Sequence, residues 1–266
     1  MTQVKLGIGT YKERFLEDWD FCLRSFDVLE LQDFIMPDNL ESKEIIDQYQ
    51  GMLSDFSGEV TLHGPYLNLV PTSIDKKVKD VAEYRYLQAV DAAMKLGANK
   101  LVIHSFYDTN TGYAQYDDLW LDGNILFWNA FLQKIKGSGV TILLENVYDK
   151  TPVTFAKLME YLDSSQISSC IDIGHCNCMA NSKPDEWIKR VRGHYFHIND
   201  NDGTRDGHLV PGKGNIDFHR ITEELADLSL VHLIAEMWEG FVVQFEGLQR
   251  LREMINRQRS LNCSRL

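Results

Sequence analysis

The chain has little that would bind a polyanion, cross a bilayer or be stapled by disulfides. Lys and Arg total 27 against 39 Asp and Glu, for a net charge of −12. A large nucleic-acid footprint needs clustered basic residues, so this balance argues against one. A metal cluster would supply positive charge locally, so it does not exclude one. No apolar run approaches the roughly 18 residues of a membrane span, and Met1-Thr2-Gln3-Val4-Lys5 leads straight into a strand pattern rather than a signal sequence. A soluble, cytoplasmic protein with no membrane partner is expected. The five cysteines are odd in number and lack framework spacing, which points to free thiols in a reducing compartment. Cys176-Asn177-Cys178 reads either as a soft metal site or, more plainly, as two small side chains in a loop. No Pro/Ser-rich linker or low-complexity tract divides the chain, so one domain over 1–266 is expected.

In place of those features the chain has a repeat. Short apolar runs recur at 4–10, 28–32, 60–65, 100–105, 140–146, 169–175, 194–200 and 232–238. Most are rich in Val, Ile and Leu with little alternation, as in parallel strands covered on both faces. Helical spacing fills the gaps, most clearly over 76–96, where Val78, Val81, Ala82, Leu87, Val90, Ala93, Met94 and Leu96 mark an apolar stripe. Gly97 and Gly137 lie where helices should end, and Pro152, Pro184 and the region of Asp217 where later ones should open. Eight strand-helix units in a chain of this size predict an α/β fold, the (β/α)8 TIM barrel. The alternative, an open doubly wound sheet, would carry a glycine-rich phosphate loop after its first strand, and Gly7-Ile8-Gly9-Thr10 lacks the third glycine.

The repeat gives meaning to nine scattered residues. His63, His104, Glu145, Asp172, His175, His197, Asp206, His208 and Glu236 each lie at or just past the end of a strand. In a parallel barrel those ends share one mouth. Imidazoles and carboxylates converging there are expected to form a site for divalent metal, zinc or manganese from the mixed N/O donors. Glu145 and Glu236 each close an apolar strand, where a carboxylate without a partner is strongly unfavourable. A metal answers that need better than a structural ion pair. Gly174 is read as allowing a sharp turn that puts His175 over the mouth. Alternation puts Tyr195 and His197 on one face and His194 on the other; His197, nearer the C-terminal end, is the candidate ligand, and His194 packs or hydrogen-bonds on the helix side. His219 and His232 are read as structural. Asp206 and His208 lie in a long loop, 201–215, with four glycines and a proline. Loops of that length in a compact barrel usually have a task, and Asp-x-His lets both side chains point one way.

The pattern resembles the xylose isomerase-like TIM-barrel superfamily, which holds sugar and sugar-phosphate isomerases and epimerases together with the endonuclease IV (AP endonuclease family 2) enzymes. The resemblance spans nearly the whole chain. Its carriers are His63-Gly64-Pro65-Tyr66, Glu145-Asn146, Asp172-Ile173-Gly174-His175, His197-Ile198-Asn199-Asp200, Asp206-Gly207-His208-Leu209-Val210-Pro211-Gly212-Lys213-Gly214 and Glu236. The isomerase/epimerase branch implies one ion held by Glu145, Asp172, His197 and Glu236. Glu145 and Glu236 would exchange a carbon-bound proton through an enediolate, and His175 would orient substrate oxygens. Glu30, Tyr66, Lys213 and Trp238 are the candidate substrate contacts. The endonuclease-like branch implies three ions and phosphodiester hydrolysis. His63, His104 and Glu145 would hold the first, the same four residues the second, and His175, Asp206 and His208 the third. All nine positions are filled, and Tyr66-Leu67 resembles the residues that branch inserts near an abasic site. Against it stand the net charge and the segment 33–41, read as an acidic loop without arginine that gives DNA no grip. The expected enzyme is therefore a metal-dependent isomerase/epimerase whose partner is a sugar or sugar phosphate. The phosphodiesterase and another metal-dependent hydrolase of a small phosphorylated metabolite are the alternatives. The oligomeric state is open.

Overall fold

The computed structural model describes residues 3–109, 115–162 and 165–263; Met1 and Thr2 lie outside them. The strands are β1 (Gln3–Thr10), β2 (Val28–Leu31), β3 (Glu59–His63), β4 (Lys100–His104), β5 (Thr141–Glu145), β6 (Ile167–Asp172), β7 (Tyr195–Ile198) and β8 (Leu230–Ala235). All neighbours pair in parallel, and β8 returns to β1, closing the barrel. The fold is the expected (β/α)8 barrel. No helix among the described residues is long and apolar enough to cross a membrane.

The strand pleat sorts every strand into two sets. Leu29, Leu62, Leu101, Ile103, Ile142, Leu144, Ile171, Phe196 and Leu233 join the main core under the helices. Val28, Val102, Leu143, Cys170, Tyr195 and Ile234 form a separate cluster inside the barrel. Gly7 belongs to this inner layer, where a Cβ would be driven into Ile234 and Val28. Two residues further along each strand, alternation returns to the interior at Gly9, Glu30, His104, Glu145, Asp172, His197 and Glu236. The register sets His104 beside Glu145 and Asp172 beside His197. At the other end, Glu59 is paired with Lys5, Lys100 (2.7 Å) and His232 (3.3 Å), so His232 is structural there.

Several boundaries differ from the sequence reading. The strands stop at His63, His104, Glu145, Asp172, Ile198 and Ala235, short of the apolar runs, because the residues beyond them turn to build the mouth. His175 is not on a strand but in the short helix Ile173–Cys178, capped by Asp172. Cys176 and Cys178 are therefore helical, and Cys176 is core. Gly174 shows no positive φ; what requires glycine is the close approach of Asn199, whose amide a Cβ would strike. Part of the 33–41 segment is structured as a short 3-10 turn, Asp33–Ile35, and a helix, Pro37–Glu41. The helix Lys76–Lys95 buries Ala82, Tyr86, Ala89, Val90, Ala92 and Ala93, while Val78, Val81 and Met94 are exposed. The apolar stripe passed over Tyr86, which stacks on Trp128 with ring centroids 5.9 Å apart and sets the buried face. Pro152, Pro184 and Asp217 do open or cap helices.

Candidate metal centre

His197 is the hub of the upper barrel layer and is fully buried. Its Nδ1 lies 3.1 Å from Glu145 Oε1, 3.3 Å from Glu236 Oε2 and 4.0 Å from Asp172 Oδ2. One donor atom from each of these four residues falls within 4.8 Å of the others. A second group, His63, His104 and Glu145, meets the same limit and shares Glu145, whose Oε2 is 3.2 Å from His63 Nε2 and 3.4 Å from His104 Nε2. Tyr66 stacks flat on His104, with ring centroids 3.8 Å apart.

The other three expected residues meet around Asp206. Its Oδ2 lies 2.9 Å from His208 Nε2 and 3.4 Å from His175 Nε2, while Oδ1 is buried without a partner among the described residues. His175 Nδ1 is anchored 3.0 Å from the Asn146 carbonyl oxygen, and His208 Nδ1 2.5 Å from that of Glu236. His208 holds a left-handed backbone (φ 46°), a conformation that costs free energy for a non-glycine residue and persists where the surroundings fix it. Here the Trp238 amide donates to the His208 carbonyl (3.2 Å) and Leu209 pairs with the backbone of Asp200, whose fully buried carboxylate holds the rest of the loop. That carboxylate accepts from the amides of Asn201, Gly212 and Gly214 (2.8 Å each) and Ile216 (3.2 Å). A Cβ on Gly214 would collide with Asp200 and the Asn201 backbone, which is why this loop needs glycine there.

The electrostatics fit a divalent cation. Glu30, Glu145, Asp172 and Glu236 crowd one layer, and among the described residues their ionic partners are imidazoles, with no Lys or Arg. Burial, with Glu145, Glu30 and Asp172 adding to it against His197, pushes Glu236 up to about 7. Burial, reinforced by His63, His175 and His197 against Glu145, pulls His104 down to about 3, leaving the neutral imidazole that metal ligation requires. His208, despite burial, is raised to about 9 by Asp206. Against burial, the neighbouring carboxylates raise His63, His175 and His197; buried carboxylates paired with imidazoles and with no basic side chain are a donor set that suits a divalent ion.

A cavity of about 220 Å³ opens over the site. His63, His104, Glu145, His175, Asp206, His208, Glu236, Tyr66 and Trp238 line it. Asp172 and His197 do not line it; both are fully buried, beside the lining residues Glu145 and His175. Two expected substrate contacts, Glu30 and Lys213, do not line the cavity. Glu30 is fully buried within the ligand layer, where strand alternation turns it inward onto Tyr195 and His197 instead. Lys213 is exposed and does not line the cavity, because Asp200 draws the flanking Gly212 and Gly214 amides under the loop. His194 is exposed, near the Leu230 carbonyl, as its outward position requires. Sequence reasoning missed Gly9, Thr10, Tyr11, Arg14, Gln32, Ile35 and Met237, which complete the cavity wall. Gln32 donates to Glu236 Oε1, and Arg14 donates to the carbonyls of Trp238 (3.3 Å) and Glu239 (3.0 Å). The available signal was position: these residues follow strand ends as the ligands do, but they are not metal-ligand types.

The sequence model of the xylose isomerase-like TIM barrel family matches residues 24–259. An uncharacterized protein of Methanocaldococcus jannaschii is 26% identical over 207 residues, 73% of this chain and 67% of its own length. Among solved structures, a D-tagatose 3-epimerase-like protein superposes with a TM-score of 0.81 at 23% identity, covering 96% of this chain and 99% of that one. A Thermus thermophilus protein soaked with zinc chloride superposes with a TM-score of 0.78 at 22% identity, over 95% of this chain and 98% of that one. At such identities the likeness is one of fold.

Proposed function

The chain belongs to the xylose isomerase-like TIM barrel family, and from that premise we propose that it is a cytoplasmic, divalent-metal-dependent isomerase or epimerase of a sugar or sugar phosphate, with 1–266 acting as one catalytic domain. The observation that carries the proposal is the pair of carboxylates, Glu145 and Glu236, that share His197 Nδ1 beneath the cavity (3.1 and 3.3 Å). The similarity in fold to a protein titled D-tagatose 3-epimerase-like supports the choice of substrate class. Glu145, Asp172, His197 and Glu236 would hold the ion, zinc or manganese. When bound it supplies Lewis-acid polarisation of a substrate carbonyl and its neighbouring hydroxyl. Glu145 and Glu236 then remove and return a carbon-bound proton by way of an enediolate. His175, braced by the Asn146 carbonyl, orients substrate oxygens, and Tyr66 and Trp238 wall the cavity.

The test is incubation of the metal-loaded protein with ketoses and ketose phosphates in D2O. Carbon-bound deuterium in recovered sugar or epimer is expected. One specific observation favours a second reading: His63, His104 and Glu145 also converge and share a ligand, as a multi-metal phosphodiesterase of the endonuclease IV kind, or a hydrolase of a small phosphorylated metabolite, would need. Cleavage of an abasic-site duplex or a phosphate ester, with no deuterium entering any sugar, would move the assignment there.

A further inference from the structure

The barrel layer that holds Glu145, Asp172, His197 and Glu236 contains a further carboxylate that the chemistry above does not use. Glu30, on β2, reaches across the interior to β7. Its Oε2 accepts from Tyr195 Oη (2.7 Å) and lies 3.2 Å from His197 Nε2. Tyr195 Oη is in turn 2.8 Å from Thr61 Oγ1. Glu30, Thr61 and His197 are fully buried and Tyr195 is 2% exposed. Glu30 Oε1 has no partner, and no Lys or Arg pairs with the carboxylate among the described residues. A buried carboxylate so placed is costly unless the group it faces needs it.

His197 does need it. An imidazole can bind a cation only through a nitrogen that carries no proton, and the hydrogen bond made by the other nitrogen decides which one that is. Nδ1 faces Glu145, Glu236 and Asp172, which attract a proton to it. Among the carboxylates of the described residues, Glu30 alone lies within reach of Nε2, at 3.2 Å, and so favours a proton there. We infer that Glu30 is the positioning residue that fixes His197 as an Nδ1 ligand, with Tyr195 and Thr61 holding Glu30 in place. A carboxylate behind a ligating histidine orients the ring and raises its basicity.

The inference rests on the proposed ion site, and its test separates the two. Wild type and Glu30→Gln are stripped with chelator, then titrated with zinc against a chromophoric competitor. Glu30→Gln is expected to fold and to bind zinc about 10–100-fold more weakly. In the zinc-loaded wild type, the ¹⁵N shifts of His197 should show a protonated Nε2 and a metal-bound Nδ1. A purely structural role would lower thermal stability without moving zinc affinity; equal affinity within about twofold overturns the inference while leaving the metal site intact. A wild type that binds no divalent ion overturns the metal reading itself, and this inference with it. Should Glu30→Gln fail to fold, Tyr195→Phe decides. Loss of one supporting hydrogen bond should weaken zinc about 2–10-fold, and unchanged affinity refutes the role.

Discussion

Replacing Asp200 by Asn tests how the mouth is built. Oδ1 accepts from the amides of Asn201 (2.8 Å) and Ile216 (3.2 Å), and Oδ2 from those of Gly212 and Gly214 (2.8 Å each). Asn keeps the shape but turns one oxygen into an NH2 group, so two amides lose their acceptor and face a donor. A hydrogen bond to a charged group contributes roughly 1.5–3 kcal/mol, so the loss is about 3–6 kcal/mol. The Gly212 and Gly214 amides are half-buried and can take water in exchange, which favours the lower end. At roughly 2–3 °C per kcal/mol for a chain of this size, Tm should fall by about 6–12 °C. The assay is thermal unfolding of the chelated protein, since a bound ion would mask the change. Amide exchange at Gly212, Gly214 and Ile216 should accelerate in step. Gly214→Ala disrupts the same cradle, so the double variant should cost scarcely more than either alone. A Tm within about 2 °C of wild type, or additive losses, would refute this account of the loop.

Elemental analysis of protein purified without chelator should find at least one divalent ion per chain. Asp206→Ala and His208→Ala should leave that count unchanged while raising KM if the enzyme is an epimerase, whereas loss of about one ion together with loss of cleavage marks the three-metal phosphodiesterase. Glu145→Gln and Glu236→Gln should each lower kcat by about 10²–10⁴-fold on an identified substrate; near wild-type turnover in either rules out proton transfer by the pair. Burial raises the Asp149 carboxyl to about 6, against donors from Ser105 and Val147. Its folded pKa thus lies above its unfolded value, the folded state holds more protons between about pH 4 and 6, and stability drops by roughly 3 kcal/mol as pH rises through that window. Asp149→Asn should flatten this part of the denaturation profile, and an unchanged slope contradicts the assignment. Gly174→Ala should cost about 1–3 kcal/mol in chemical denaturation by displacing Asn199, which donates to Asp172 at 3.2 Å; a neutral effect would show that the helix Ile173–Cys178 can shift freely.

The sequence by itself determined the barrel and the residue types gathered at its mouth. Parallel strands covered on both faces are apolar runs, and such a one-dimensional pattern is visible without any tertiary contact. His63, His104, Glu145 and Glu236 stood out because a ligand-type residue closing such a run has a single direction to face. What the tertiary structure alone decided was depth, partner and chain path. Glu30 and Glu145 look alike in sequence, each on a buried strand, yet strand stagger places one under His197 and the other beside the cavity. Lys213 and Gly214 read as a loop offered to substrate until Asp200, fourteen residues before Gly214, takes the amides. His175 leaves the strand for a helix because Asp172 caps it and Asn199 needs the space a glycine leaves. The physical reason is common to all three. Period-two alternation fixes which face a side chain takes, but how far along the axis it lies, and which distant polar group reaches it first, depends on the register of strands that are neighbours only in space.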